Sequence, residues 1–191
     1  MNRILMRKII LASQSKARRQ ILAQMGLKVK VVKPHLKEDM HLKGGCAALV
    51  MRNALRKAQA AARQFKTGIV IGADTVVLVD KKVIGKPKHR ADAFKTLKLL
   101  SQRPQWVYSG IAVIDLDKQK TYQAFDKTKV YMHSLSDDQI NSYINNVDVH
   151  RLAGSFDIQG RGARLVKRIE GCYYNVVGLP LAKLAVILKK L

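Results

Sequence analysis

Residues 68–87 read GIVIGADTVVLVDKKVIGKP. From Ile69 to Val79 the side chains are almost all β-branched and apolar, the composition of a strand buried on both faces. Asp80, Lys81 and Lys82 form a polar turn, and Val83-Ile84 returns across it. One carboxylate, Asp74, interrupts the apolar run. Burying an unpaired charge is costly, so an acid here needs a partner or a task. Read alone, Asp74 is either a salt-bridged structural acid or a site carboxylate that holds a divalent cation or deprotonates a water. Lys86, in the following Gly85-Lys86-Pro87 turn, supplies a cation suited to phosphate charge.

Strands and helices intermix on both sides of this stretch. Ile9–Ala12 reads as a short buried strand. Ser13 or Ser15 caps a helix from about Lys16 to Met25, which Gly26 ends. Leu27–Val32 alternates apolar and basic residues, as a strand does, and Pro34–Gly45 is a polar connection. Cys46–Phe65 is an Ala-rich helix and Ala91–Leu100 an amphipathic one. Gln105–Asp115 and Thr121–Tyr131 are strands joined by a turn around Asp117. Ser136–Asn146 is a helix whose Ser136 and Gln139 have capping-box spacing. Ala163–Ile169 reads as a strand and Leu179–Leu191 as a closing helix. The pattern predicts an α/β fold, a mixed central sheet flanked by helices, in one domain over residues 1–191 with room for two lobes.

The 191 residues include 36 Lys and Arg against 13 Asp and Glu, a formal charge of +23. A chain of this length buries about 70% of its unfolded surface and needs no disulfide staple. Cys46 and Cys172 are far apart, so free thiols in a reducing compartment are expected, a single disulfide being the alternative. The opening MNRILMRKIILAS is basic and then apolar, but its apolar part is too short for a signal peptide. No run approaches the ~20 apolar residues of a membrane span, and a cytoplasmic protein without membrane contact is expected. The charge favours nucleotides, nucleic acid or anionic surfaces as partners. Basic residues are spread along the whole chain, with no compact run and no interleaved aromatic ladder of the RNA-binding kind.

Other constellations are weaker. LASQSKARRQIL, residues 11–22, leads a strand through a small-residue turn into a helix N-terminus, where peptide N–H groups and the helix dipole favour an anion. Ser13, Ser15 and Arg18 add donors suited to phosphate oxygens. Glu38, in a loop after Pro34, reads by itself as a solvated acid, and Lys57 on the Ala-rich helix as exposed surface. Residues 153–180 combine glycines with Gln159, Glu170 and Asn175, a shaped loop beside a strand. There is no P-loop, no GxSxG or GxGxxG, and the five histidines show no zinc-ligand spacing.

Taken in order, LASQSKARR, PHLKE, ALRKA, GADTVV…GKP, LSQRPQWVYSG, AGSFDIQGRG and IEGCYYNVVGLP resemble the motifs of the Maf family of nucleoside triphosphate pyrophosphatases. The resemblance covers nearly the whole chain. It implies a fold related to the inosine-triphosphate pyrophosphatases, with two lobes and a cleft. It implies metal-dependent hydrolysis between the α- and β-phosphates, with Mg²⁺ or Mn²⁺, giving a monophosphate and pyrophosphate. Asp74 would then be the proton acceptor or metal-side acid, and Glu38 would support the metal. Arg18, Lys57 and Lys86 would hold phosphates, while Ser13 and Ser15 line the phosphate turn. Thr75 and Gln159 match positions tied to base selection and lean toward dTTP and UTP.

Some positions depart from the family pattern. Lys16 replaces a proline, Gln105 a histidine and Leu152 a lysine, and Asp148 stands where a glutamate is usual. Lys37 replaces the acid before Glu38, removing one candidate metal ligand. Ala17 occupies a specificity position that is often Arg in the dTTP/UTP subgroup and Trp in the 7-methyl-GTP subgroup. Two readings compete. The first is a housecleaning pyrophosphatase acting on pyrimidine triphosphates, with a homodimer allowed because dimers are common in the family. The second is a weakened enzyme serving as a nucleotide- or nucleic-acid-binding regulator of cell division, motivated by the charge, Lys37 and Leu152.

Overall fold

The computed structural model describes residues 6–36, 39 and 42–191. Seven strands form one sheet: β1 (Ile9–Ala12), β2 (Val29–Val31), β3 (Ile69–Val79), β4 (Lys82–Ile84), β5 (Gln105–Asp115), β6 (Lys120–Met132) and β7 (Val166–Glu170). Their order is β2-β1-β3-β5-β6-β7, with β4 paired to β3. Strand β1 runs parallel to β2 and β3, whereas β3–β4 and β6–β7 are antiparallel, so the sheet is mixed as expected. The helices are α1 (Lys16–Gln24), α2 (Gly45–Ala62), α3 (Arg90–Gln102), α4 (Asp137–Asn146), α5 (Tyr173–Val177) and α6 (Leu181–Leu188). Cys46 and Cys172 are free thiols.

The chain divides into two compact units. The first comprises Met1–Thr75, Ser109–Asp126 and Gly178–Leu191. One cluster of its core is rich in small residues: Ala12, Ala54, Ala58, Ala61 and Ala112 pack with Ile10 and Val70. Glycines complete the fit. A Cβ on Gly72 of β3 would lie 2.2 Å from the Ala54 carbonyl oxygen, and one on Gly110 of β5 would lie 2.5 Å from the Val50 carbonyl carbon. Helix α2 can therefore lie directly on the sheet backbone, bringing its Asn53 and Lys57 down to strand level.

The second unit comprises Val76–Tyr108 and Lys127–Val177. In it Val77, Val79, Leu97, Leu100, Val107, Val130, Ile140 and Tyr143 form one cluster. Asp80 and Lys81, at φ 46° and 63°, make the left-handed two-residue turn that matches the twist of a hairpin. Helix α4 starts with the expected capping box of Ser136 and Gln139.

Three local expectations shift. The strand foreseen at Ala163–Ile169 begins only at Val166, because residues Arg161–Leu165 coil into a 3₁₀ segment. The Asp157 carboxylate accepts the Gly162 N–H at 3.0 Å and anchors that coil. The closing helix starts at Leu181, just after Pro180, and the short helix α5 precedes it. At the end of β5 the buried Asp115 carboxylate accepts from Arg7 at 3.0 Å and from the backbone N–H groups of Asp117 and Lys118, each at 3.1 Å. The Arg7 guanidinium is the main cause that holds this carboxyl below the usual carboxylate range.

Candidate active site

Asp74 lies in the middle of β3 and is buried. Its Oδ1 receives Lys57 Nζ at 2.6 Å, and its Oδ2 receives Asn53 Nδ2 at 3.1 Å. Lys57 is only 7% exposed. The reading of this lysine as surface is thereby corrected: the small-residue seam between α2 and the sheet draws its ammonium into an ion pair. Leaving either partner alone would strand a buried charge, at a cost of about 3–5 kcal/mol.

Asn53 is the residue the sequence did not nominate. It sits one helical turn before Lys57, on the same face of α2, and that spacing was the available signal. Its amide does two jobs. Nδ2 donates to Asp74 and also to the Asp39 carbonyl at 2.8 Å, while Oδ1 accepts the Asp39 N–H at 3.0 Å. Arg52 Nε adds a 2.8 Å contact to the Asp39 carboxylate. Asn53 thus ties the loop at Asp39 to the Asp74 carboxylate. Glu38 and Lys37 lie outside the described residues.

A second cluster surrounds Arg18. The turn after β1 behaves as expected: Ser15 Oγ caps α1 by accepting the Arg18 N–H at 3.3 Å, and Ser13 Oγ accepts the Ser15 N–H at 3.3 Å. The Arg18 guanidinium then fans out. Nε donates to the Gly178 carbonyl at 2.7 Å, NH1 to Ser13 Oγ at 3.1 Å and to the Ala73 carbonyl at 3.0 Å, and NH2 to Thr75 Oγ1 at 2.9 Å. Thr75 Oγ1 also meets Ser109 Oγ at 2.8 Å. Gly178, at φ +113°, leaves room that a side chain would take, since a Cβ there would sit 3.2 Å from Thr75 Oγ1. Ser109 and Gly178 were not foreseen either; both join through tertiary contact alone. Ala17, expected from the resemblance to bear on specificity, is half-buried in the first turn of α1.

Asp74 and Thr75 are consecutive, so their side chains leave opposite faces of β3. The ion pair and the arginine fan are thus back-to-back on one strand, linked through the backbone at Ala73. Lys86 and Gln159 belong to the second compact unit. Both are exposed, Lys86 in the turn after β4 and Gln159 in the loop folded around Asp157.

Among the described residues no group of three or more His, Cys, Asp or Glu side chains could hold a metal ion by itself. Asp74 is one carboxylate whose two oxygens each bond to a single nitrogen donor in the contacts above. That donor set fits a hydrated Mg²⁺ or Mn²⁺ carried by substrate phosphates, which needs one or two protein carboxylates, and does not form an all-protein cage.

A family model described as "Maf-like protein" matches residues 8–191. A protein of Dictyoglomus turgidum named "dTTP/UTP pyrophosphatase" is 42% identical over 185 residues, covering 96% of each chain. One of Thermoanaerobacter sp. with the same name is 42% identical over 184 residues, again 96% of each chain. A third, from Caldanaerobacter subterraneus subsp. tengcongensis, is 43% identical and covers 96% of this chain and 88% of its own. A solved structure titled "The structure of the Staphylococcus aureus Ham1 protein" aligns with a TM-score of 0.46 at 16% identity, over 66% of this chain and 72% of that one. The family model and the sequence relatives together span nearly the full length, and the chain belongs to the Maf-like protein family.

Proposed function

We propose that this protein hydrolyses nucleoside triphosphates at the α–β phosphoanhydride, releasing a nucleoside monophosphate and pyrophosphate, with dTTP and UTP as substrates. The observation that carries the reading is the buried Asp74 carboxylate, held between Lys57 and Asn53 on a strand that contains no other acid. The relatives named dTTP/UTP pyrophosphatase support the substrate choice.

In this reaction a water oxygen attacks the α-phosphorus. Its proton passes to the Asp74 carboxylate, the bond from the α-phosphorus to the bridging oxygen breaks, and the electron pair leaves with pyrophosphate. General-base assistance of this kind is worth about 10²–10⁴-fold in rate. Lys57 and Asn53 fix the carboxylate in one orientation, and the Lys57 ammonium adds positive charge for the phosphates. Arg18 holds the Ser13–Ser15 turn, whose helix N-terminus receives phosphate oxygens. Thr75, Gln159 and Ala17 set the base preference, and Lys86 adds phosphate charge compensation. A divalent cation, when bound with Asp74 and Glu38 as its protein ligands, neutralises charge on the phosphates. The proposed setting is the cytoplasm, as a housecleaning activity on the nucleotide pool.

The test is a panel of triphosphates with Mg²⁺ or Mn²⁺, read by pyrophosphate release. dTTP and UTP should lead the panel, and Asp74→Asn should abolish release. A protein that releases pyrophosphate from no triphosphate with either metal would overturn the proposal.

A further inference from the structure

Far along the sequence from Asp74, the second compact unit presents a sheet face with a different chemistry. On β6, Thr128, Val130 and Met132 point into the core, while Lys127, Lys129 and Tyr131 lie on the opposite face. On β5 the buried Gln105 and Val107 alternate with Trp106 and Tyr108. The β6–β7 register sets Tyr131 opposite Arg168 and Lys129 opposite Glu170. Folding therefore gathers on one face residues that the sequence scatters over sixty positions.

These residues interlock. Lys127 Nζ lies 4.8 Å from the centre of the Trp106 ring, and Lys129 Nζ lies 5.8 Å from the same ring and 5.2 Å from that of Tyr131. The Arg168 guanidinium stacks 3.6 Å above Tyr131. Glu170 accepts from the Tyr131 hydroxyl at 3.0 Å and pairs with Arg168. Two lysines thus share the face of a single indole. The side chains of Arg168 and Glu170 are each 51% exposed, and Lys127 is exposed.

We infer that this face, Trp106, Lys127, Lys129, Tyr131 and Arg168, is a binding site for single-stranded nucleic acid, separate from the nucleotide site around Asp74. Lysines held over a ring can turn to phosphate and leave the ring for a base, and a guanidinium stacked on tyrosine offers a second plane for stacking. The +23 charge supplies long-range attraction to such a strand. A lipid surface fits less well. The exposed large aliphatic side chains among the described residues, Met6, Val31, Leu42 and Val186, all lie off β5, β6 and β7.

Trp106 is the one tryptophan of the chain, so its fluorescence reports on this face. The full-length protein is titrated with labelled oligothymidylate and oligoadenylate of about 12 nucleotides, within the range one such surface covers. The expected result is saturable quenching together with a rise in anisotropy, unaffected by excess dTTP. Lys127→Gln with Lys129→Gln should weaken binding about tenfold or more. It should also lower the slope of log affinity against log salt by about 1.4, two phosphate contacts at ~0.7 each. Arg168→Gln should weaken it further. Pyrophosphate release should be unchanged in these variants. Binding without quenching, binding equal in the double variant, or displacement by dTTP would overturn the inference. So would binding to phosphatidylserine–phosphatidylcholine vesicles as tight as to the oligonucleotide, in favour of a membrane partner.

Discussion

Two buried aspartates in the first compact unit make an instructive pair. Asp115 ends β5 and Asp74 sits inside β3, and each faces one basic side chain. Asp115 is closed off by backbone: the N–H groups of Asp117 and Lys118 and the Arg7 guanidinium share its two oxygens. Asp74 is held by side chains on one helix, Lys57 and Asn53. A carboxylate saturated by turn amides is a structural cap. One oriented from a single side keeps lone-pair directions for a proton or a ligand. Burial and a salt bridge leave the two acids alike; the source of their donors differs, and the catalytic role we propose for Asp74 rests on that difference.

The sharpest way to break this contrast is to remove both charges isosterically. Asp74→Asn should lower pyrophosphate release by about 10²–10⁴-fold, whereas Asp115→Asn should lower stability and leave the activity of the folded fraction near the wild-type value. Equal activity losses per folded molecule, seen by pairing the pyrophosphate assay with circular dichroism, would erase the distinction. Next in size is Asn53→Ala. A hydrogen bond to a charged group is worth about 1.5–3 kcal/mol, so kcat should fall about 10- to 100-fold with KM little changed; an effect confined to KM would remove Asn53 from the positioning role.

The helix that carries these donors gives a third test. Gly72→Ala puts a methyl group 2.2 Å from the Ala54 carbonyl oxygen. Overpacking of this kind costs about 1–3 kcal/mol, and lifting α2 should reduce kcat as well. Gly26→Ala, with nothing within 4 Å of the new Cβ but φ at +76°, should cost about 1 kcal/mol and leave kcat alone. Denaturant midpoints for the two variants, read with their rates, separate backbone strain from helix displacement.

The smallest effect is on acid stability. The folded Asp115 carboxyl titrates below its ordinary value because of Arg7. Its contribution is full above about pH 4, the unfolded value. It is lost as pH falls through the lower folded value. Asp115→Asn should therefore flatten the acid limb of a Tm-against-pH curve. A limb of unchanged slope would show that the Arg7 pair contributes nothing there.

Much of this was legible in the chain. The β-branched run of 69–79 left no alternative to a buried strand, and Ser136 with Gln139 placed the start of α4 within a residue. These signals are local: period, capping and turn chemistry act over a few positions. Arg161–Leu165 escaped because its coil depends on the Asp157 carboxylate and on Gly162, not on β propensity. Lys57 escaped because a lysine on an Ala-rich helix looks the same whether its stem meets water or a glycine seam. The match of the family motifs marked Asp74, Arg18 and Thr75, yet carried no information on which of them touch.

By itself the sequence determined the alternation of strands and helices, the buried acid at Asp74 and the capped turn at Ser13–Ser15, because each is written in neighbouring residues. Only the tertiary structure decided that Lys57 and Asn53 reach that acid and that Arg18 and Thr75 sit behind it. It alone decided that Trp106, Lys127, Lys129, Tyr131 and Arg168 share one face. The reason is geometric: strand alternation assigns a side chain to a face, but register and the closeness of helix to sheet assign its partners.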